Sequence, residues 1–143
     1  MTRDEIVRAA RRWVGTPYHH GASLPGIGCD CLGLLRGLWR ELVGPEPAPV
    51  PAYRPDWAES TGADALLEAA RRHLVPIRRL EAGAGDVLLF RFRTHLPAKH
   101  CGILTGPARM IHAHDGAAVA EVALASWWTR HCAGAFRFPG LEP

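Results

Sequence analysis

Cysteine and histidine are the residues of this chain best suited to covalent chemistry, with four of the first and eight of the second. Cys31 is the most informative of them. It follows Asp30, and residues 31–43 carry an apolar stripe of Leu34, Leu35, Leu38, Trp39 and Leu42 at helical spacing, stopped by Gly44. Asp30 is the N-cap that this pattern predicts, which puts Cys31 in the first turn of a helix. Unpaired N–H groups and the positive end of the helix dipole favour a thiolate there. The same N–H groups can receive the oxyanion of a tetrahedral intermediate. Asp30's own carboxylate works against the thiolate, so a nearby imidazolium has to outweigh it. The competing reading is that Cys31 is a small buried hydrophobe, as most cysteines are.

A thiol nucleophile needs a base, and the base needs an orienting group. Candidates lie in residues 100–114. His100 opens one predicted strand, and His112 lies in the next, across the turn at Gly106-Pro107. Alternate strand residues face one side, so His112 and His114 share a face, and His100 and His112 become neighbours if the register allows. One imidazole abstracting a proton and a second holding it would give a Cys-His-His triad, with imidazole in the third place. The remaining histidines, His19, His20, His73, His95 and His131, read as solvated. Cys101 alternates with His100 and reads as core, and Cys132 is read the same way. Cys29 is close enough to Cys31 to support a rival: Cys29, Cys31, His100 and His112 are the ligand types of a tetrahedral zinc site, although two cysteines separated by one residue are tighter than such sites usually have.

The elements that must position these groups follow from periodicity. Ile6, Ala9, Ala10, Trp13 and Val14 predict a helix over 3–14, ended by Gly15 and Pro17. Residues 15–30 read as loop. Gly33 and Gly37, one turn apart in the second helix, predict close approach of another element. Residues 45–57 hold five prolines and read as a surface arm rather than a domain linker. Another helix is expected over 62–74. Strands are expected at Val75–Leu80, Val87–Phe92, His100–Thr105, Met110–His114, Ala117–Val122 and Ala133–Phe138, with Gly85-Asp86 as a turn and a short helix or turn at Ser126–His131. Helices first and strands afterwards is the order of an α+β domain with a mostly antiparallel sheet.

Composition excludes several classes. A length of 143 residues fits one domain. The net charge of +3, almost all of it guanidinium because Lys99 is the lone lysine, is too small to argue for nucleic acid. No apolar run is long enough to span a membrane, and no secretory signal pattern is visible at the start of the sequence. Four cysteines without such a signal are expected as free thiols.

Four blocks of residues resemble, in order, the NlpC-type cell-wall endopeptidases. Thr16-Pro17-Tyr18 with Gly21, followed by Gly28-Cys29-Asp30-Cys31-Leu32-Gly33-Leu34, is similar to the family's G-T-P-Y-x-x-G-G and D-C-S-G-L stretches. Gly85-Asp86-Val87-Leu88-Leu89-Phe90 resembles its G-D-L-V-F-F strand. Lys99-His100-Cys101-Gly102-Ile103-Leu104 resembles H-V-G-I-Y, and Met110-Ile111-His112-Ala113 resembles F-I-H-A. The resemblance implies a papain-like fold without a cofactor, with Cys31 as nucleophile, His100 as base and His112 as orienting residue. Tyr18, Asp30 and Leu32 then belong to the oxyanion and substrate region. The implied substrate is the peptidoglycan stem peptide, typically at the D-γ-glutamyl–diaminopimelate bond. Leu32 in place of serine, Ala22 in place of the second glycine, and the additional Cys29 depart from the pattern. The Pro-rich arm followed by Asp56-Trp57-Ala58-Glu59, the short chain and the absence of a visible signal look most like stand-alone peptidases of phage tails and gene transfer agents. That likeness implies tail-tip or baseplate partners, synthesis in the cytoplasm and action at the wall. Two further readings are a structural tail-tip component with a vestigial site and a thiol acyltransferase.

Overall fold

The computed structural model describes residues 1–47 and 64–142. Helix α1 (Arg3–Arg11) starts on Thr2, whose hydroxyl accepts from the Glu5 amide, and buries Ile6, Val7, Ala9 and Ala10. It ends three residues before the predicted limit. Beyond Arg11 the amides of Trp13 and Val14 bond to Ala10 and Arg11, a tighter turn that still buries Trp13 but leaves Val14 exposed. A two-stranded ribbon follows inside the predicted loop, β1 (Ser23–Leu24) with β2 (Gly28–Cys29). Helix α2 (Cys31–Leu42) begins where expected, with Asp30 accepting from the Gly33 amide at 2.7 Å. The glycine expectation holds at Gly33, where an added Cβ would overlap the carbonyl oxygen of Ala22. At Gly37 the neighbour is a side chain, the Trp13 indole. Of the Pro-rich arm, residues 48–57 lie outside the described residues. Its first part is tied back to α2, with the Trp39 indole donating to the Pro45 carbonyl and Glu46 paired with Arg36 and Arg40.

Helix α3 (Ala65–His73) lies within the predicted 62–74, whose first two residues are outside the described ones. Strand β3 (Val75–Ile77) is shorter than expected. Glu81 folds back to accept from the Arg78 amide, so Arg79–Glu81 form a 3₁₀ turn and Leu80 stands in solvent. Then come β4 (Val87–Phe90), β5 (His100–Gly106), β6 (Arg109–His112), β7 (Ala120–Ala123), a short helix α4 (Ser126–Arg130) and β8 (Cys132–Arg137). The strands form one antiparallel sheet in the order β3-β8-β4-β5-β6-β7. Proline at Pro76 is accommodated because β3 is an edge.

The sheet is covered on both faces. Val87, Leu89, Cys101, Ile103 and Ile111 pack with α1, α2 and α3 through Ile6, Trp13, Leu34, Leu38 and Leu67. Leu88, Phe90, Leu104, Met110 and Ala135 form the opposite cluster, with Trp128 of α4 against it. Period-two alternation along β4 sends successive residues to opposite layers, which is why all four are buried. No helix among the described residues is long and apolar enough to cross a membrane.

Candidate active site

Asp30 organises the loop-to-helix junction. One carboxylate oxygen accepts from Gly33 in the first turn, and the other accepts from the Gly21 amide at 2.8 Å. The 17–22 loop is thereby fastened to the start of α2. A second link runs beside it, since the Cys29 amide donates to Pro17 and the His19 amide to Cys29. Tyr18 is held half-buried in this frame beside Cys31. Its hydroxyl is pushed up to about 12 by burial and by the negative character of Cys31 and Asp30, so it stays a proton donor at neutral pH. Leu32 turns its side chain onto the core between helices and sheet. What it can offer a ligand is its amide, which with that of Cys31 has no partner inside the helix.

The Cys31 sulfur lies 3.8 Å from the carbonyl oxygen of Lys99, the residue before His100. Its thiol is held well below the ordinary value. The neighbouring Cys101 side chain contributes most, burial opposes it, and the hydrogen bonding and charge of His100 add to the depression. Cys101 moves the other way, well above the ordinary range. Of the two sulfurs, then, Cys31 is the one that gives up its proton more readily. Behind it, His100 Nε2 stands 2.9 Å from His112 Nδ1, both side chains buried. Burial, followed by the neighbouring His100 and His114, pushes His112 down to about 4. A neutral His112 presents Nδ1 as an acceptor for the His100 N–H. The structure thus brings Cys31, His100 and His112 together, with Tyr18, Asp30 and the Leu32 backbone at the same junction.

Three expectations are corrected. Cys101 is buried on the helix-facing side of β5 as predicted, but it is not merely core: its sulfur donates to the Cys31 carbonyl at 3.3 Å. His131 is not simply solvated; it stacks on Trp127 at 3.9 Å and its Nδ1 bonds the Trp127 carbonyl. The proposed four-residue zinc set does not assemble. Among the described residues the histidines that converge are His100, His112 and His114, while Cys29 is fully buried and its thiol is pushed up to about 12 by burial. Cys132 is half-buried against the second cluster. Sequence reasoning also passed over an open cleft of about 600 Å³ lined by Phe92, Arg93, His114, Trp127 and Trp128. The adjacent tryptophans were its only signal.

A Cys–His–His cluster at a helix start over an antiparallel sheet is the geometry of a papain-like α+β domain. The NlpC/P60 family model matches residues 15–137, and the chain belongs to that family. It is similar to the gamma-DL-glutamyl hydrolase of Bacillus subtilis, 28% identical over 137 residues, 95% of this chain and 29% of that protein. It is also similar to the murein DD-endopeptidase MepH of Escherichia coli, 30% identical over 126 residues, 87% of this chain and 41% of that protein. The chain spans less than half the length of either relative. An NlpC/P60 family protein from Bacillus cereus shares the fold with a TM-score of 0.69 at 19% identity, over 95% of this chain and 40% of that one.

Proposed function

We propose that this domain is a cysteine peptidase that hydrolyses amide bonds in the peptide stems of peptidoglycan. The observation that carries the reading is the relay at the start of α2: a depressed Cys31 thiol beside His100, whose far nitrogen is 2.9 Å from His112. The names of the two curated relatives, a gamma-glutamyl hydrolase and a murein endopeptidase, support the substrate class. The resemblance of the motifs to NlpC-type enzymes favours the D-γ-glutamyl–diaminopimelate bond.

The reaction starts from a Cys31 thiolate and a His100 imidazolium. Sulfur attacks the amide carbonyl carbon, and the C=O electron pair moves onto oxygen. The amides of Cys31 and Leu32 and the Tyr18 hydroxyl donate to that oxyanion. As the intermediate collapses the C–N bond breaks, and His100 gives the leaving amine a proton from the nitrogen turned away from His112. Neutral His100 then takes a proton from water, and the resulting hydroxide attacks the thioester. Collapse releases the carboxylic acid and restores the ion pair. His112 accepts the Nε2–H of His100 throughout and fixes its ring.

Purified muropeptides incubated with the protein and followed by mass spectrometry test this. Wild type is expected to release stem-peptide fragments, and Cys31→Ala to slow release by at least about a thousandfold. Equal inertness of both proteins would exclude the enzyme and leave a structural component. The finer setting we propose, a phage-like tail tip acting at the wall, is supported by the likeness of the arm and of Asp56-Trp57-Ala58-Glu59 to tail peptidases. Its absence from purified tail-like particles of the source cell would remove it.

A further inference from the structure

Three imidazoles converge where the relay uses two. His114 follows His112 by two residues, just past the end of β6, and its ring stacks on that of His112. The ring centroids lie 5.1 Å apart for His100 and His112, 5.4 Å for His100 and His114, and 5.6 Å for His112 and His114. Each offers one ring nitrogen, and these three atoms all lie within 4.8 Å of one another. Nothing in the hydrolytic cycle calls for the third.

Tetrahedral zinc holds its nitrogen ligands at about 2.0–2.1 Å, which sets two of them roughly 3.3 Å apart. His100 Nε2 and His112 Nδ1 already stand 2.9 Å apart. Replacing the shared proton by a metal therefore widens the pair by about 0.4 Å on that geometry. His114 has farther to move and is the member able to do so. It is exposed and lines the open cleft with Phe92, Arg93, Trp127 and Trp128, which also gives an ion its way in. The charges facing it are mixed: Arg93 in the cleft opposes a cation, while Asp115 acts on His114 in the favourable sense.

We propose that His100, His112 and His114 form a binding site for a borderline divalent cation, Zn²⁺ first among them, and that its occupation inhibits the domain. Imidazole sets of this kind suit zinc, copper and nickel over magnesium or calcium. On binding, the Nε2 proton of His100 leaves to solvent and the metal takes its place. Solvent fills the fourth position. His100 is then fixed as a ligand and no longer cycles a proton for Cys31. The inhibition rests on the peptidase reading; the binding does not.

The test is calorimetric titration of chelator-treated protein with zinc chloride, with muropeptide hydrolysis measured in parallel. Wild type is expected to take one zinc per chain with a Kd of ~10 μM or tighter, and its hydrolysis to stop at that stoichiometry. His114→Ala is expected to bind about tenfold or more weakly, to hydrolyse at the wild-type rate when metal-free, and to resist zinc. Cys31→Ala is expected to bind zinc like wild type. The site is overturned if wild type takes up no zinc below millimolar, if His114→Ala binds as tightly, or if Cys31→Ala loses the metal. Histidine-dependent binding by a wild type that cleaves no wall fragment would support the site and overturn the peptidase. An active wild type indifferent to zinc would do the reverse.

Discussion

A thiol that is to stay ionised near neutrality must gain more from its neighbours than it loses by leaving water. The Cys31 thiol is pushed in that direction by Cys101 and His100, and the loss from Asp30 is limited because that carboxylate is already engaged by the Gly21 and Gly33 amides. His112 illustrates the opposite balance. Its pKa falls from 6.5 to about 4 in the fold, so between these values the unfolded chain binds a proton that the native state refuses. Stability therefore falls as the pH drops from 6.5 towards 4, and the loss levels off below that. For His112 the full span is worth roughly 3 kcal/mol. Denaturant midpoints measured from neutral pH to pH 4 should fall more steeply for wild type than for His112→Gln; parallel curves would mean that His112 is not held neutral. The convergence of Cys31, His100 and His112 was legible in the sequence because each sits in a short motif with a cap, a turn or an alternation beside it. The contact of Cys101 with Cys31 was not. Alternation places Cys101 correctly on the far face of β5, but it carries no information about which helix terminus stands over that face.

At the scale of elements, the start of α2 depends on the loop that crosses it. A Gly→Ala change within a helix normally gains about 1 kcal/mol of propensity. At Gly33 the new methyl would meet backbone, the Ala22 carbonyl, which Asp30 and Gly21 hold in place. Gly33→Ala is therefore expected to destabilise by about 1–3 kcal/mol and to slow hydrolysis by moving Tyr18 relative to Cys31. Gly37→Ala meets the edge of the Trp13 ring; it should cost stability while leaving kcat closer to wild type. Melting curves and steady-state rates on the two variants check this, and equal kcat values would refute the division. Helix α2 was predicted to within one residue because Asp30 and Gly44 mark its ends. The end of β3 was missed because Glu81 reaches back to Arg78, a local polar turn that the apolar pattern of Val75–Leu80 conceals.

Across the whole molecule, Asp86 joins the first helix to the last strand. It is fully buried at the start of β4 and accepts from Arg3 at 3.1 Å, from Arg137 twice at 3.0 Å and from the Gly83 amide at 2.9 Å. Asp86→Ala would leave two guanidinium groups without their carboxylate partner, each keeping one backbone carbonyl. Both are partly exposed and can rehydrate in part, so the expected cost is about 2–4 kcal/mol, at or below that of breaking a fully buried pair. Asp86 is at the end of β4 away from Phe90, which pairs with His100. Hydrolysis at low temperature should accordingly stay near wild type while the Tm falls; a loss of rate with an unchanged Tm would contradict this. The sequence marked Asp86 only as part of a turn, because its partners lie at the two ends of the chain. The order of helices and strands, by contrast, was enough for the α+β class, since the longer helices and the central strands announce their type by their own period.

Strand β5 carries imidazole and thiol on consecutive residues, His100 towards His112 and Cys101 towards the helices. A slip of one residue against β4 would exchange their places. It would drive a basic ring into the oily layer under α2 and leave a sulfur facing His112. The sheet would keep its strand count, and the proposed relay would be lost without any change of sequence. The pairing of Phe90 with His100 thus fixes which side chain of β5 faces His112 as well as the alignment of two strands.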